Sequence, residues 1–333
     1  MPLVGLRKIQ FGLESPSGTP VAATKRMSRG TLRLTPSPEF WTPEDEERGT
    51  LAAVNERITI ANGVKMKYEG PVTFEQLINF LSIGVKGGIT PTTPGGGTNS
   101  RDHAYTPSLT VASTLQSLTV EYGDEQQAYM APFVVATNLQ FTMAMNAPWM
   151  MSVDLIGHGE IKQAFTGALT ETAVEEVLGR KTKLYIDSTW AGLGGTEKAT
   201  VLVNAKVTFP DFYKPVKYAD GALNFSDMRI QRLAAEVELT YRHSSVGVTE
   251  YDAYRADGGT ARFIRLETLG SLIEGALYKR VQFDFALKYT QPPELFAEVD
   301  GENYIRLVGR TFPDSSSNWL SVAVRNAITA LPA

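Results

Sequence analysis

Few residue types in this chain can carry out covalent or metal chemistry. Cysteine is absent, which removes disulfides, thiolate metal sites and cysteine nucleophiles together. The three histidines, His103, His158 and His243, are far apart in sequence, and no H-x-x-x-H or H-E-x-x-H spacing occurs. The run GLGGTEK (192–198) imitates a phosphate loop. It lacks the Gly-Lys-Ser/Thr ending, and no long helix follows whose N-terminal dipole could meet a phosphate. No G-x-S-x-G elbow is present. The remaining candidates are carboxylates. Glu236 and Glu238 stand two apart on one face of an expected strand, with Val237 and Leu239 on the other. General acid–base work needs two carboxylates across a cleft in unlike environments. Two on the same strand face read instead as a polar wall that acts through its field.

The composition narrows the class further. Of 333 residues, 32 are Lys or Arg and 36 Asp or Glu, a net charge of −4, and 43% are hydrophobic. That is a folded chain rather than a disordered one. Its pI near 5.6 opposes electrostatic gripping of nucleic acid. The length exceeds a single core and favours two domains. Arg7 and Lys8 interrupt the N-terminus before an apolar stretch of signal-peptide length can form. The uncharged stretch 126–153 contains Pro132 and Pro148 and alternates with period two, so it reads as a buried hairpin and not a membrane span.

The elements that must hold the polar wall are mostly strands. Residues 1–55 read as an extended arm, in which PEDEER (43–48) could open a helical turn. Ile58, Ile60, Val64, Met66 and Tyr68 alternate about Asn62-Gly63, a hairpin signal. Thr73 and Gln76 form a capping-box pattern ahead of a helix whose apolar face is Phe74, Leu77, Ile78, Leu81 and Val85, with a polar back, ended by Gly87-Gly88. Residues 87–108 form a long Gly/Pro/Thr loop that either flails or is ordered by a partner, with His103 solvated. Strands follow at 115–122, 133–145 and 149–156. In the second of these, Phe133, Val135, Leu139, Phe141, Met143 and Met145 face one way, and Ala136, Asn138, Gln140, Thr142 and Ala144 the other. A short helix fits 173–178. Strands fit 183–187, 200–209 and 229–243, then a helical piece at 249–257, then strands at 261–268, 276–290, 303–311 and 318–329. The order of elements in the first half recurs in the second, which suggests an internal structural repeat.

In this order the segments GTPVAATKRM (18–27), EGPVTFEQLINFLSIGVKGG (69–88), VATNLQFTMAMNAPWMMSVDLIG (135–157) and NWLSVAVRNAI (318–328) resemble the phage tail tube proteins of long non-contractile tails. The resemblance covers most of the chain. It implies a mainly β (α+β) fold of two tandem tube-type β-sandwich domains, each with a flanking helix. These would be an arm at 1–55, a first tube domain at 56–165 and a second at 180–333. Subunits of that family join edge to edge into a ring β-barrel, and a tandem chain implies trimers with pseudo-sixfold symmetry. The implied protein is a structural virion component made in the host cytoplasm, with no enzymatic activity, no cofactor and no membrane insertion. Its partners would be copies of itself, the tape measure protein and DNA in the lumen, and tail tip and terminator proteins at the ends.

Closure into a barrel removes exposed strand edges. A channel for DNA should be neutral or repel phosphate. On this reading Glu236, Glu238, Asp284, Asn138, Gln140 and Thr142 are the lumen candidates. Thr90, Thr93, Asn99, Arg101 and His103 are the candidates for contact with a neighbouring subunit. Two other classes remain open. One is a β-sandwich glycan- or receptor-binding virion module using Trp41, Trp149, Trp190 and Trp319. The other is a hydrolase with Asp/Glu pairs across the domain junction.

Overall fold

The computed structural model describes residues 4–43, 49, 56–299 and 301–331. The chain is mainly β. In the first half the strands are β1 (Lys8–Leu13), β2 (Lys25–Arg26), β3 (Thr31–Pro36), β4 (Glu39–Trp41), β5 (Ile58–Ala61), β6 (Val64–Pro71), β7 (Arg101–Tyr105), β8 (Leu118–Gly123), β9 (Ala128–Ala144), β10 (Met150–Gly157) and β11 (Ile161–Gln163). There follow β12 (Thr182–Asp187), β13 (Leu202–Phe209), β14 (Tyr213–Val216), β15 (Asp227–Ile230), β16 (Glu236–Arg242), β17 (Arg262–Glu274), β18 (Leu277–Tyr289), β19 (Glu294–Val299), β20 (Glu302–Thr311) and β21 (Leu320–Asn326). Among the described residues two α-helices, α1 (Leu77–Gly84) and α2 (Ser245–Arg255), follow β6 and β16.

Among the described residues seventeen strands form three antiparallel layers, and β4–β5 and β14–β15 form separate two-stranded ribbons. The largest runs β3–β6–β10–β9–β13–β16–β20–β19. A second runs β12–β17–β18–β21–β7 and joins the first where β18 meets β20. A third, β2–β1–β8–β9–β11, shares the N-terminal half of the 17-residue strand β9. Period-two alternation makes one face of the large sheet apolar. Leu32, Met66, Tyr68, Val153, Leu139, Phe141, Val207, Leu239 and Leu307 are all at most 4% exposed. This face meets the second sheet, where Trp149 stacks on Phe283 at 5.6 Å and Phe141 lies 5.5 Å from the same ring. One hydrophobic core runs through both halves of the chain.

Helix α1 is covered on every side, not on one face as its pattern suggests. The expected polar back, Asn79 and Ser82, is as buried as Leu77 and Leu81. Half of the expected capping box forms: the Gln76 backbone N–H donates to Thr73 Oγ1 at 3.2 Å. The helix lies so close to β9 that a Cβ on Gly84 would stand 2.3 Å from Leu139 Cδ1, so any larger residue would have to displace that buried side chain.

Several local expectations are corrected. Asn62-Gly63 does not close a two-stranded hairpin, since β5 pairs with β4 while β6 pairs with β3 and β10. Neither residue has a positive φ; Asn62 instead bonds Leu223 O through its N–H and holds the Gly63 N–H on its side chain. The helix expected at 173–178 is extended chain, bridged at Glu176 to Thr73 and at Leu178 to Pro148. Strand 229–243 is broken into β15 and β16, and β19 is a strand the pattern did not assign. Helix α2 begins at Ser245, four residues before Thr249, and ends ahead of Gly258-Gly259, both at positive φ. A bulge at Thr137 flips the alternation of β9, so Ala136 instead of Val135 stands opposite inward Leu155; Met145, expected on the apolar face, lies past the end of β9 and is 45% exposed.

The N-terminal arm is built into the fold over β1–β3: β1 pairs with β8 and β3 with β6. A buried carboxylate fixes the chain after β1. Glu14 accepts the backbone N–H groups of Gly18 and Phe133, each at 2.8 Å, and the hydroxyls of Thr119 and Ser117. Residues 44–48 of PEDEER lie outside the described residues.

Candidate functional site

The large sheet has a second face, and that face is polar. Cross-strand register assembles rows on it from residues far apart in sequence. One row reads Thr31, Glu69, Ser152, Gln140, Thr208, Glu236, Arg310. Another places Thr142, Lys206 and Glu238 side by side. Asn138 lies beside Asp154, its Nδ2 donating to Oδ2 at 2.9 Å. Five of the six residues singled out as a polar wall, Asn138, Gln140, Thr142, Glu236 and Glu238, therefore share one exposed or half-exposed face of one sheet.

The sixth, Asp284, does not. It lies on β18 in the second layer, 5% exposed, and holds Arg265 in a two-pronged bond at 2.7 and 2.9 Å while accepting Gln282 at 2.7 Å. Its alternation within β18 mimicked that of Glu236, and nothing local distinguishes the two sheets.

The wall also differs in charge from the expected acidic one. Arg306 grips Glu238 through two bonds of 2.6 and 2.8 Å, Arg310 stands 3.5 Å from Glu236, and Lys67 meets Glu69 at 2.7 Å. The arginines come from β20, whose contribution to this face required knowing that it pairs with β16. Exposed pairs of this kind contribute little stability. They do cancel each other's field. Paired this way across strands, Glu236 and Glu238 form no cleft for acid–base work.

The sheet's edges are its other chemical feature. β3 pairs only with β6 and β19 only with β20 among the described residues, so each has one row of backbone N–H and C=O groups without a strand partner. The strand order repeats between these edges. The succession β3–β6–β10–β9 becomes β13–β16–β20–β19, each with its third and fourth members formed by a hairpin in chain order β9–β10 or β19–β20. A helix follows the second strand in each case, α1 after β6 and α2 after β16. A two-stranded ribbon separates the first from the second strand in each case, β4–β5 and β14–β15. Because neighbours alternate in direction, β3 and β13 run the same way, and both ribbons leave the same rim. These ribbons and their flanks carry exposed Phe40, Trp41, Ile58, Ile60, Tyr218, Leu223 and Ile230.

The 87–108 segment is held by its own chain. Glu274, at the turn between β17 and β18, accepts the N–H groups of Thr98, Asn99 and Ser100 at 2.7–2.8 Å and the hydroxyls of Thr98 and Ser100. The Ser100 N–H first, then the hydroxyls and the other amide, hold this carboxyl down to about 2. Arg101 and His103 lie in β7, paired with β21. His103 is fully buried rather than solvated, its Nε2 within 3.1 Å of both Asn326 Oδ1 and Ile328 O, and burial lowers its pKa. Thr90, Thr93 and Asn99 remain exposed.

Other chemistry is sparse. Among the described residues no cluster of three His, Asp or Glu side chains is placed to hold a metal. No described helix is long and apolar enough to cross a membrane. Trp149 and Trp319 are core residues at 2% and 4% exposure, which leaves Trp41 and Trp190 as accessible indoles. A buried network missed in the sequence links Tyr241, Tyr289 and Glu250 beneath α2. Burial raises the Glu250 carboxyl, while Arg262 at 3.1 Å opposes that rise. No known protein family matches the chain, and no curated protein matches it.

Proposed function

We propose that this protein is the structural subunit of a phage tail tube. Copies would join through the free edges of the large sheet into rings, and the rings would stack into a hollow conduit for DNA. The observation that carries the reading is the repeated strand order, which ends in two unlike free edges. The internal β9–β13 pairing already joins the fourth strand of one repeat to the first strand of the next. Applying the same junction between copies pairs β19 of one molecule with β3 of another. An edge-to-edge contact of unlike surfaces gives a ring when its rotation closes. Closure satisfies the backbone groups that an open sheet leaves as a liability. Three copies would supply six repeats.

The apolar face is covered by α1 and the second sheet, so the polar face is left to line the bore. Lys67, Arg306 and Arg310 on it are matched by carboxylates, and Asn138, Gln140, Thr142, Ser152 and Thr208 are uncharged. Each matched pair removes a fixed positive site that would hold a passing polyanion. The two apolar ribbons on one rim suit them to contact the opposite rim of the next ring, since unlike faces stacked head to tail form an open filament. The tape measure protein and DNA would occupy the lumen, tail tip and terminator proteins the ends, and the assembled protein would reside in the virion tail. Negative-stain imaging across a concentration series tests this. Rings or tubes with an open centre are expected; a monodisperse monomer at all concentrations, including after addition of tail tips, contradicts it.

A further inference from the structure

The strand repeat also fixes a register. Within the chain, Leu34 pairs with Met66 and Leu32 with Tyr68; in the second repeat Val207 pairs with Val237 and Ala205 with Leu239. Tyr68 and Leu239 are equivalent by a second route, because Thr73 and Ser244 follow them at the same distance and stand at the starts of the two helical segments. Following the pairings onward, Tyr68 faces Val153 as Leu239 faces Leu307, and Met151 faces Phe141 as Ile305 faces Leu295. Hence Leu34 is the counterpart of Val207, and Leu295 the counterpart of Phe141. Across the internal junction Phe141 lies opposite Val207, and Gln140 opposite Thr208.

We infer that β19 of one copy pairs antiparallel with β3 of the next in the register that sets Leu295 opposite Leu34 and Glu294 opposite Thr35. The partner is thus a second copy of this chain, and the inference rests on the ring assembly proposed above. Burial supports the register independently of the repeat. Leu34 and Leu295 terminate the apolar face at its two edges, and both are only half-buried against a core whose inner members are almost fully covered. Apposing them continues the apolar face across the junction and covers both. A shift by one residue would turn one of them to the polar side. The same register brings Arg33, which is exposed and has no ion pair among the described residues, diagonal to Glu294 on the polar face. That is the relation in which Arg306 grips Glu238, two residues from its direct partner Thr240. Glu294 itself has only a loose contact, 3.9 Å from Arg306.

The chain lacks cysteine, so introduced thiols report without background. Thr35→Cys and Glu294→Cys proteins, prepared separately and mixed in equal amounts, are brought to assembly and oxidised. Directly opposed strand residues fall within disulfide reach. The expected result is a copy-to-copy crosslink in the mixture, at least tenfold above that of either protein alone, and above mixtures of Glu294→Cys with Arg33→Cys or Ser37→Cys. Tubes that crosslink instead through the Arg33 or Ser37 position overturn the register and leave the assembly standing. Crosslinking of Thr35→Cys protein to itself means like edges meet, which overturns both. Absence of assembly in the unmodified protein defeats the assembly reading first, and the register with it. Thermal melting of each variant as a monomer establishes that it is folded, which the exposed positions Arg33, Thr35 and Glu294 favour.

Discussion

Leu34→Asp should abolish assembly and leave the monomer nearly intact. Leu34 is only partly buried at the free edge of β3, so the isolated molecule already leaves part of it in water. Full burial of a leucine contributes roughly 1.5–3 kcal/mol, so covering the parts of Leu34 and Leu295 still in water gives at most about 1 kcal/mol each per junction. An aspartate there forfeits much of that and carries an unpaired carboxylate into an apolar strip, a further cost of about 1–3 kcal/mol. The sum, about 3 kcal/mol per junction, raises the concentration needed for association by roughly 100-fold, at 1.4 kcal/mol per factor of ten. Leu34→Ala should raise it only about fivefold. Sedimentation across a concentration series measures the shift, with a melting curve of the monomer beside it. Thr35→Ser, on the polar side of the same strand, serves as the control. If Leu34→Asp assembled like the unmodified protein, the argument from the half-covered edge leucines would be refuted.

Further perturbations test the positioning of these elements. Glu274→Ala should free residues 90–100 from the β17–β18 turn, seen as several-fold faster proteolysis within that segment and no change elsewhere. The Glu274 carboxyl is held near 2, below its ordinary 4.5, so its contribution is present above pH 4.5 and lost as pH falls toward 2; hydrogen exchange at the amides of 98–100, corrected for intrinsic rates, should accelerate over that window. Glu14→Ala strands the buried Phe133 N–H and removes the acceptor of the Thr119 and Ser117 hydroxyls, and should lower stability by about 2–4 kcal/mol in denaturant titration. Trp149→Ala removes the ring stacked between the sheets and should cost about 3–5 kcal/mol, measured in the same way.

What could be read from the sequence was what alternation and turn chemistry encode. The β9–β10 hairpin, α1 with its Thr73 cap, and the polar side of β16 follow from period-two and 3.6 patterns in adjacent residues. What could not be read depended on which strand lies beside which. Asp284 alternates just as Glu236 does, yet belongs to another layer, and only pairing separates them. Arg306 and Arg310 neutralise the glutamates from a strand about 70 residues away. The 173–178 segment satisfied a helix-start pattern, but its backbone is taken up by bridges to Thr73 and Pro148. His103 sits in a Gly- and Pro-rich stretch that reads as solvated, and its burial comes from pairing with β21, more than 200 residues away. The bulge at Thr137 leaves no mark in the residues themselves, since Ala136 suits either face.

The claim beneath the account is that the β3 and β19 edges of different copies complete one another's hydrogen bonding. A reconstruction of the concentrated protein by electron cryomicroscopy bears on it most directly. The account predicts a closed ring in which the large sheet passes unbroken from β19 of one molecule into β3 of the next, with the polar face inward. A well-resolved particle in which either strand remains unpaired, or is capped by a segment of its own chain, contradicts it.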